Sequence, residues 1–406
     1  MKTLQRILLP ILVLTAWASA QESAALAKTR AKLETGAEPV KIVCFGDSVT
    51  GLYYHTGGRR TYTDMLGIAL ERACPKAEVI TVNAGISGHT TANALTRIEK
   101  DVLAHKPDLV TVMFGLNDMV KIADIETYRK NLVEIIRQCR AIDAEVVLCT
   151  PNSVITTGAR SKDKLERYCE AIREVAAENR VPLCDSFAAF EELREADPLA
   201  WRLTLSDEIH PNMAGHKAIA EQLTKTISGK PFSLADVGPL QPALDKTQQL
   251  LADGKPVKIL VMPPYGQLFE HALRQKNSDA NLEIVSWPIE GLTLREVEKD
   301  ASKRVRKLKP NLVVIAIPRA AYADSTDQEK FIRSYHWTAC YSLSFGRSEW
   351  DCVVVHPSVF EPDSPDPETD DLIRQIVASH DLTLIDRPAG DRRGVGEILA
   401  EWLKRQ

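Results

Sequence analysis

From residue 41 onward the apolar positions fall into short β-branched runs, separated by longer stretches in which apolar residues recur every three or four positions. The short runs predict strands at 42–45, 79–82, 109–114, 146–148 and 182–184. The longer periodic stretches predict helices at 62–72, 91–105, 125–140, 163–179 and 214–228. Runs that are apolar throughout, rather than alternating, belong to strands buried on both faces. The pattern therefore predicts an α/β fold, a parallel sheet with helices on either side. A second alternation follows, with strand-like runs at 257–262, 282–286, 312–317, 352–355 and 382–385. Between the two lies a polar, Pro-containing stretch, 230–255, expected to be a linker with one short helix near 240–252.

The two halves echo each other. Lys106-Pro-Asp-Leu-Val110 returns as Lys309-Pro-Asn-Leu-Val313, Lys41-Ile-Val as Lys258-Ile-Leu, and the last helix of each half carries Ala-Glu-x-Leu, at 220–223 and 400–403. These echoes predict an internal duplication. The expected organisation is a segment 1–20 to be removed, a domain at 38–229, the linker, and a second domain at 256–406.

Residues 1–20 read as a signal peptide: Lys2 and Arg6 precede an apolar core at 7–17, and Ala18-Ser19-Ala20 ends it. Export to the periplasm or beyond is expected, and no later stretch is long and apolar enough to predict a membrane span. The 406 residues are 44% hydrophobic and 26% charged, a globular composition, and the formal net charge of −4 argues against a nucleic-acid partner. The Lys303–Lys307 basic cluster is expected to be the solvated face of a helix. Export would permit disulfides among the eight cysteines. Cys44, Cys149 and Cys184, however, sit in apolar runs where a small buried side chain is the simpler expectation. No Cys or His spacing predicts a metal site.

Four blocks carry candidate chemistry, in this order: Gly46-Asp47-Ser48, Asn83-Ala-Gly-Ile-Ser-Gly88, Gly115-Leu-Asn117-Asp118 and Asp207-Glu-Ile-His210. Three of them lie just past predicted strand ends, where reactive groups of parallel sheets gather. A serine hydroxyl is a poor nucleophile until a base takes its proton. Asp207 and His210, three residues apart, can share one loop so that the carboxylate orients one ring nitrogen and leaves the other for Ser48. His216 competes for the base role but falls inside a predicted helix with no carboxylate at matching spacing. The remaining histidines, His55 and His89 among them, have no comparable partner pattern.

Taken together, these blocks resemble the GDSL, or SGNH, hydrolase family over roughly residues 40–228. The resemblance implies a three-layer αβα, flavodoxin-like fold, with Ser48, Asp207 and His210 catalytic. It implies an oxyanion hole formed by the N–H groups of Ser48 and Gly88 and the amide of Asn117. Gly85 is a rival to Gly88, which is preferred because its block matches the family's. His89 departs from the acidic residue that many members carry after that glycine. The implied activity is an exported serine esterase working through an acyl-enzyme, without metal or organic cofactor, on a small-molecule or glycan ester. The aromatic and arginine-rich loop 52–60 suits an acetylated sugar. The alternatives are a lysophospholipase- or thioesterase-type lipid hydrolase, or a non-catalytic extracellular binding protein. When the echoes are aligned, Tyr265 replaces Ser48 and Ala320 replaces Asn117, and no Asp-x-x-His precedes the last helix. The second half is thus expected to be a degenerate copy without catalytic residues.

Overall fold

The computed structural model describes residues 25–122, 124–323, 327–346, 349–363 and 366–406; the signal peptide expected at 1–20 lies outside them. Two compact units interleave along the chain. The first runs to Gly51 and resumes over Thr61–Trp201 and His216–Leu234, and the second takes Leu52–Arg60, Arg202–Gly215 and Ala235–Gln406. Two stretches within the span of the first predicted domain therefore fold with the C-terminal residues.

The first unit holds strands β1 (Val40–Gly46), β2 (Val79–Gly85), β3 (Leu109–Met113), β4 (Glu145–Thr150) and β5 (Leu183–Asp185). They form one parallel sheet in the order β2-β1-β3-β4-β5. Every residue of β3 is buried, whereas the edge strand β2 is largely half-exposed. Helices Thr91–Asp101, Ile125–Ala141 and Lys162–Asn179 pack side by side in a row. Side-chain caps fix their starts. Thr90 and Asn93 form a reciprocal capping box, and Asp124 accepts the N–H groups of Glu126 and Thr127. The helix expected over 91–105 ends at Asp101. A single 3₁₀ turn, Leu103–His105, then turns the chain into β3 with Lys106 in the left-handed region, φ 50°.

In the second unit β6 (Val257–Val261), β7 (Leu282–Ser286), β8 (Leu312–Ile315), β9 (Asp351–Val355) and β10 (Thr383–Ile385) make another parallel sheet, ordered β10-β9-β8-β6-β7. Read from the other edge, this is the order of the first sheet. The registers agree as well: Ile42 faces Leu109 and Leu109 faces Glu145, as Ile259 faces Leu312 and Leu312 faces Asp351. The echoed residues make equivalent bonds. Asp108 N–H donates to Lys41 O at 2.9 Å, and Asn311 N–H to Lys258 O at 2.8 Å. The Asp108 carboxylate accepts Lys41 N–H, and the Asn311 side-chain Oδ1 accepts Lys258 N–H, at 2.8 Å each. Lys106 and Lys309 share the left-handed conformation.

Two sequence expectations change, and the state of the cysteines, left open by the sequence, is visible. The stretch expected as a linker is packed: Ala243 and Leu244 are buried, and the helix is shorter, Asp245–Ala252, with Thr247 N–H donating to Asp351 at 2.7 Å. Within the basic cluster, Lys303 and Lys307 are exposed, but Val305 is buried and Arg306 lies over the rings of Tyr54 and Phe345. All eight cysteines are buried free thiols.

Candidate active site

Central strand β1 delivers Ser48. At its end Gly46 can only be glycine, because an added Cβ would lie 2.0 Å from Thr50 Oγ1 and 2.8 Å from Met113 O. The turn after it is held by Asp47, whose side chain accepts Val49 N–H and whose carbonyl accepts Gly51 N–H, both at 3.0 Å. Ser48 is half-buried in that turn. Thr50 meets the Tyr62 hydroxyl at 2.9 Å and receives Asn83 Nδ2 on its carbonyl at 2.6 Å, which ties the turn to the start of a helix and to β2.

Gly88 adopts φ +75°, a conformation that side chains other than glycine strain to reach, and its carbonyl accepts Lys121 Nζ at 2.6 Å. The Asn117 amide nitrogen donates to Asp47 Oδ2 and to His89 O, at 3.2 Å each, and its carbonyl accepts from Arg160 at 3.3 Å. Asp118 pins the neighbouring helix by accepting Thr91 N–H at 2.8 Å and Thr91 Oγ1 at 2.6 Å. Ser48, Gly88 and Asn117 thus belong to the first unit, along with the bonds that shape their loops.

Arg97, which no sequence pattern singles out, joins these loops. Its guanidinium donates to Gly46 O and Ala84 O at 2.8 Å each, lies over the Phe45 ring, and meets His89 Nδ1 at 3.1 Å through Nε. Burial, with Arg97 and Lys121 beside it, pushes the His89 imidazole down.

Asp207 and His210 belong to the second unit, in a small loop closed by a bridge between Leu205 and Pro211 and by Ser206 N–H donating to His210 O at 2.9 Å. Asp207 Oδ1 accepts the N–H groups of Ile209 at 2.8 Å and His210 at 2.7 Å, and Oδ2 pairs with His210 Nδ1 at 2.8 Å. Burial would push this carboxyl up. The charge and hydrogen bond of His210, joined by His55 and the loop N–H groups, outweigh it and hold Asp207 well below the usual carboxylate range. A carboxylate fixed in this way keeps Nδ1 protonated and leaves Nε2 as the basic nitrogen.

His55 overturns the expectation that it has no partner pattern. It is buried, meets Ser206 Oγ at 2.7 Å through Nδ1, approaches Asp207 Oδ2 to 3.8 Å through Nε2, and stacks on His210 with centroids 4.1 Å apart. Its partners lie some 150 residues away, so no local spacing betrays it. His55, Asp207 and His210 are also the one group among the described residues whose possible metal-ligand atoms lie within 4.8 Å of one another. With Asp207 Oδ2 at hydrogen-bond distance from His210 Nδ1, the arrangement is that of a carboxylate–imidazole pair. His216 is buried in the first unit, where its Nδ1 accepts Tyr62 N–H at 3.1 Å, a packing role.

Residues 44–218 match the GDSL-like Lipase/Acylhydrolase family. An acetylxylan esterase of Geobacillus stearothermophilus is 29% identical over 175 residues, 39% of this chain and 76% of that protein. Esterase TesA of Pseudomonas aeruginosa is 27% identical over 146 residues, 36% of this chain and 68% of the relative. Among solved structures, a lipase/acylhydrolase from Enterococcus faecalis is 27% identical, with a TM-score of 0.40, covering 47% of this chain and 98% of its own.

Proposed function

Residues 44–218 belong to the GDSL-like lipase/acylhydrolase family and make this chain a serine ester hydrolase, and from that premise we propose that it deacetylates carbohydrates through an acyl-enzyme on Ser48. In this reading His210 Nε2 takes the Ser48 proton as the hydroxyl oxygen attacks the ester carbonyl. The N–H groups of Ser48 and Gly88 and the Asn117 amide receive the oxyanion. Collapse of the intermediate expels the alcohol, protonated by His210. Water, activated by the same imidazole, then releases the acid. Asp207 orients His210 and stabilises the imidazolium. The Asn117 amide hydrogens meet Asp47 Oδ2 and His89 O at 3.2 Å each, and in this reading they turn to the oxyanion as its charge develops.

The observation that carries this reading is the Asp207–His210 pair, fixed at 2.8 Å within one loop. The carbohydrate substrate is supported by the acetylxylan esterase relative, and export by the basic, apolar and small-residue pattern of residues 1–20. The second unit is proposed as a duplicated, non-catalytic copy, on the strength of the shared strand order, register and echoed bonds. Kinetics on p-nitrophenyl esters of increasing chain length test the reading. Activity highest on acetate and falling with chain length supports it, whereas a maximum on octanoate or longer would replace it with lipid hydrolysis.

A further inference from the structure

The bonds that shape the loop of Asp207 and His210 do not end within that loop. One face of the His210 ring is covered by His55, with centroids 4.1 Å apart and planes 22° from parallel. Tyr54 lies on His55 at 4.1 Å, and Phe345 stacks on Tyr54 at 5.6 Å, 15° from parallel. The Arg306 guanidinium sits 5.2 Å from the Tyr54 ring and 4.9 Å from that of Phe345. Four rings thus form a column that starts at His210 and ends on residues of the C-terminal half.

The segment bearing Tyr54 and His55 is anchored at further points. Ser344 Oγ donates to Gly57 O at 3.0 Å, Leu343 packs against Gly57 at 3.2 Å from the position of an added Cβ, and Arg60 pairs with Asp381 at 3.0 Å. The loop that carries the pair is held from the same side. Arg202 pairs with Glu329 at 2.9 Å, and Asn212 donates to Ser379 Oγ at 3.0 Å. These contacts hold both the segment that bears His55 and the loop that bears His210.

We propose that His55 is a positioning residue for the Asp207–His210 pair, and that the C-terminal half holds it in place through the Tyr54–Phe345 stack closed by Arg306. The proposal rests on the reading of His210 as the base. The hydrogen bond to Asp207 does not by itself stop the His210 imidazole from tilting about it. A ring on its face removes this freedom, and the Ser206 contact fixes that ring in turn. A displacement of about 1 Å at a reacting group costs on the order of 100-fold in rate. The column therefore acts on kcat and leaves ground-state binding of the ester untouched.

The test uses the full chain with p-nitrophenyl acetate, alongside the proton resonance of the His210 Nδ1–H. His55→Ala, still folded by circular dichroism, is expected to lose about 10- to 100-fold in kcat with KM within about threefold, and to broaden or lose that resonance. His55→Phe, which keeps a flat ring, is expected to recover most of the rate. Phe345→Ala removes an exposed ring at the far end of the column without opening the core, and is expected to lower kcat by a smaller factor in the same direction. The proposal is overturned if folded His55→Ala keeps kcat within about twofold of the parent, or if His55→Phe is as impaired as His55→Ala, and its part for the C-terminal half is overturned if Phe345→Ala keeps kcat within that same range. His210→Ala runs beside them. Its inactivity next to a fully active His55→Ala would sink the positioning role alone, whereas an active His210→Ala would sink the base assignment and this proposal with it.

Discussion

Asn117 is the residue at which the oxyanion assignment is most exposed to test. Its amide hydrogens meet Asp47 Oδ2 and His89 O at 3.2 Å each, and an oxyanion is a stronger acceptor than an ester carbonyl. Their proposed target therefore gains them only as negative charge develops, which is a contribution to the transition state rather than to binding. Asn117→Ala is expected to lower kcat by roughly 10²–10³ with little change in KM, read by steady-state kinetics. A raised KM with unchanged kcat would make Asn117 a substrate-binding residue instead. The Asp207–His210 bond was legible in the sequence because a carboxylate three residues from an imidazole can reach it within one loop. Arg97 and His55 were not. Their partners are Gly46 and Ser206, and only the folded sheet and its neighbouring loops bring those within reach.

At the level of elements, the central strands were legible because parallel strands buried on both faces read as continuous apolar runs. Some of their ends shifted, by up to three residues, since caps and turns, not hydrophobicity, decide them. The helix Gln328–Ser342 carries a group that no periodicity signals. His336 on this helix meets His380, the residue after helix Pro367–Ser379, at 2.5 Å. Both rings are buried, and their outer nitrogens, His336 Nε2 and His380 Nδ1, have no partner among the described residues. Burial pushes both imidazoles down, His380 to about 3, with the Arg202 charge adding to the effect. A base whose folded pKa is depressed stays neutral while the unfolded chain takes up a proton. Stability is therefore whole above pH ~6.5 and falls as pH drops toward the folded value, by about 1.4 kcal/mol per pH unit for each such histidine. Urea midpoints measured from pH 7 to 4 should fall steeply for the parent and less steeply for His336→Leu/His380→Phe. Equal slopes would show that the pair does not set the acid limit.

For the whole molecule, the interleaving of the two units decides what a truncation does. Sequence echoes pointed to two similar halves, and the matching sheets agree with them. What the sequence could not reveal is that the segments Leu52–Arg60 and Arg202–Gly215 fold with the C-terminal residues, because side chains far apart along the chain make those contacts. A fragment of residues 25–234 contains every motif of the hydrolase family, yet it lacks the residues on which the Asp207–His210 loop is packed. Its kcat/KM on p-nitrophenyl acetate should fall by on the order of 100-fold or more, and near-parental activity would show that the loop holds its shape unaided. An acyl-enzyme on Ser48 has a direct rival in the second unit, where Ser358 Oγ meets His356 Nδ1 at 2.7 Å. Intact-mass and peptide analysis after inactivation by an organophosphonate distinguishes the two. A single adduct per chain is expected on the peptide bearing Ser48, absent from Ser48→Ala; an adduct on Ser358, or complete inactivation with Ser48 unmodified, would place the acyl-enzyme elsewhere.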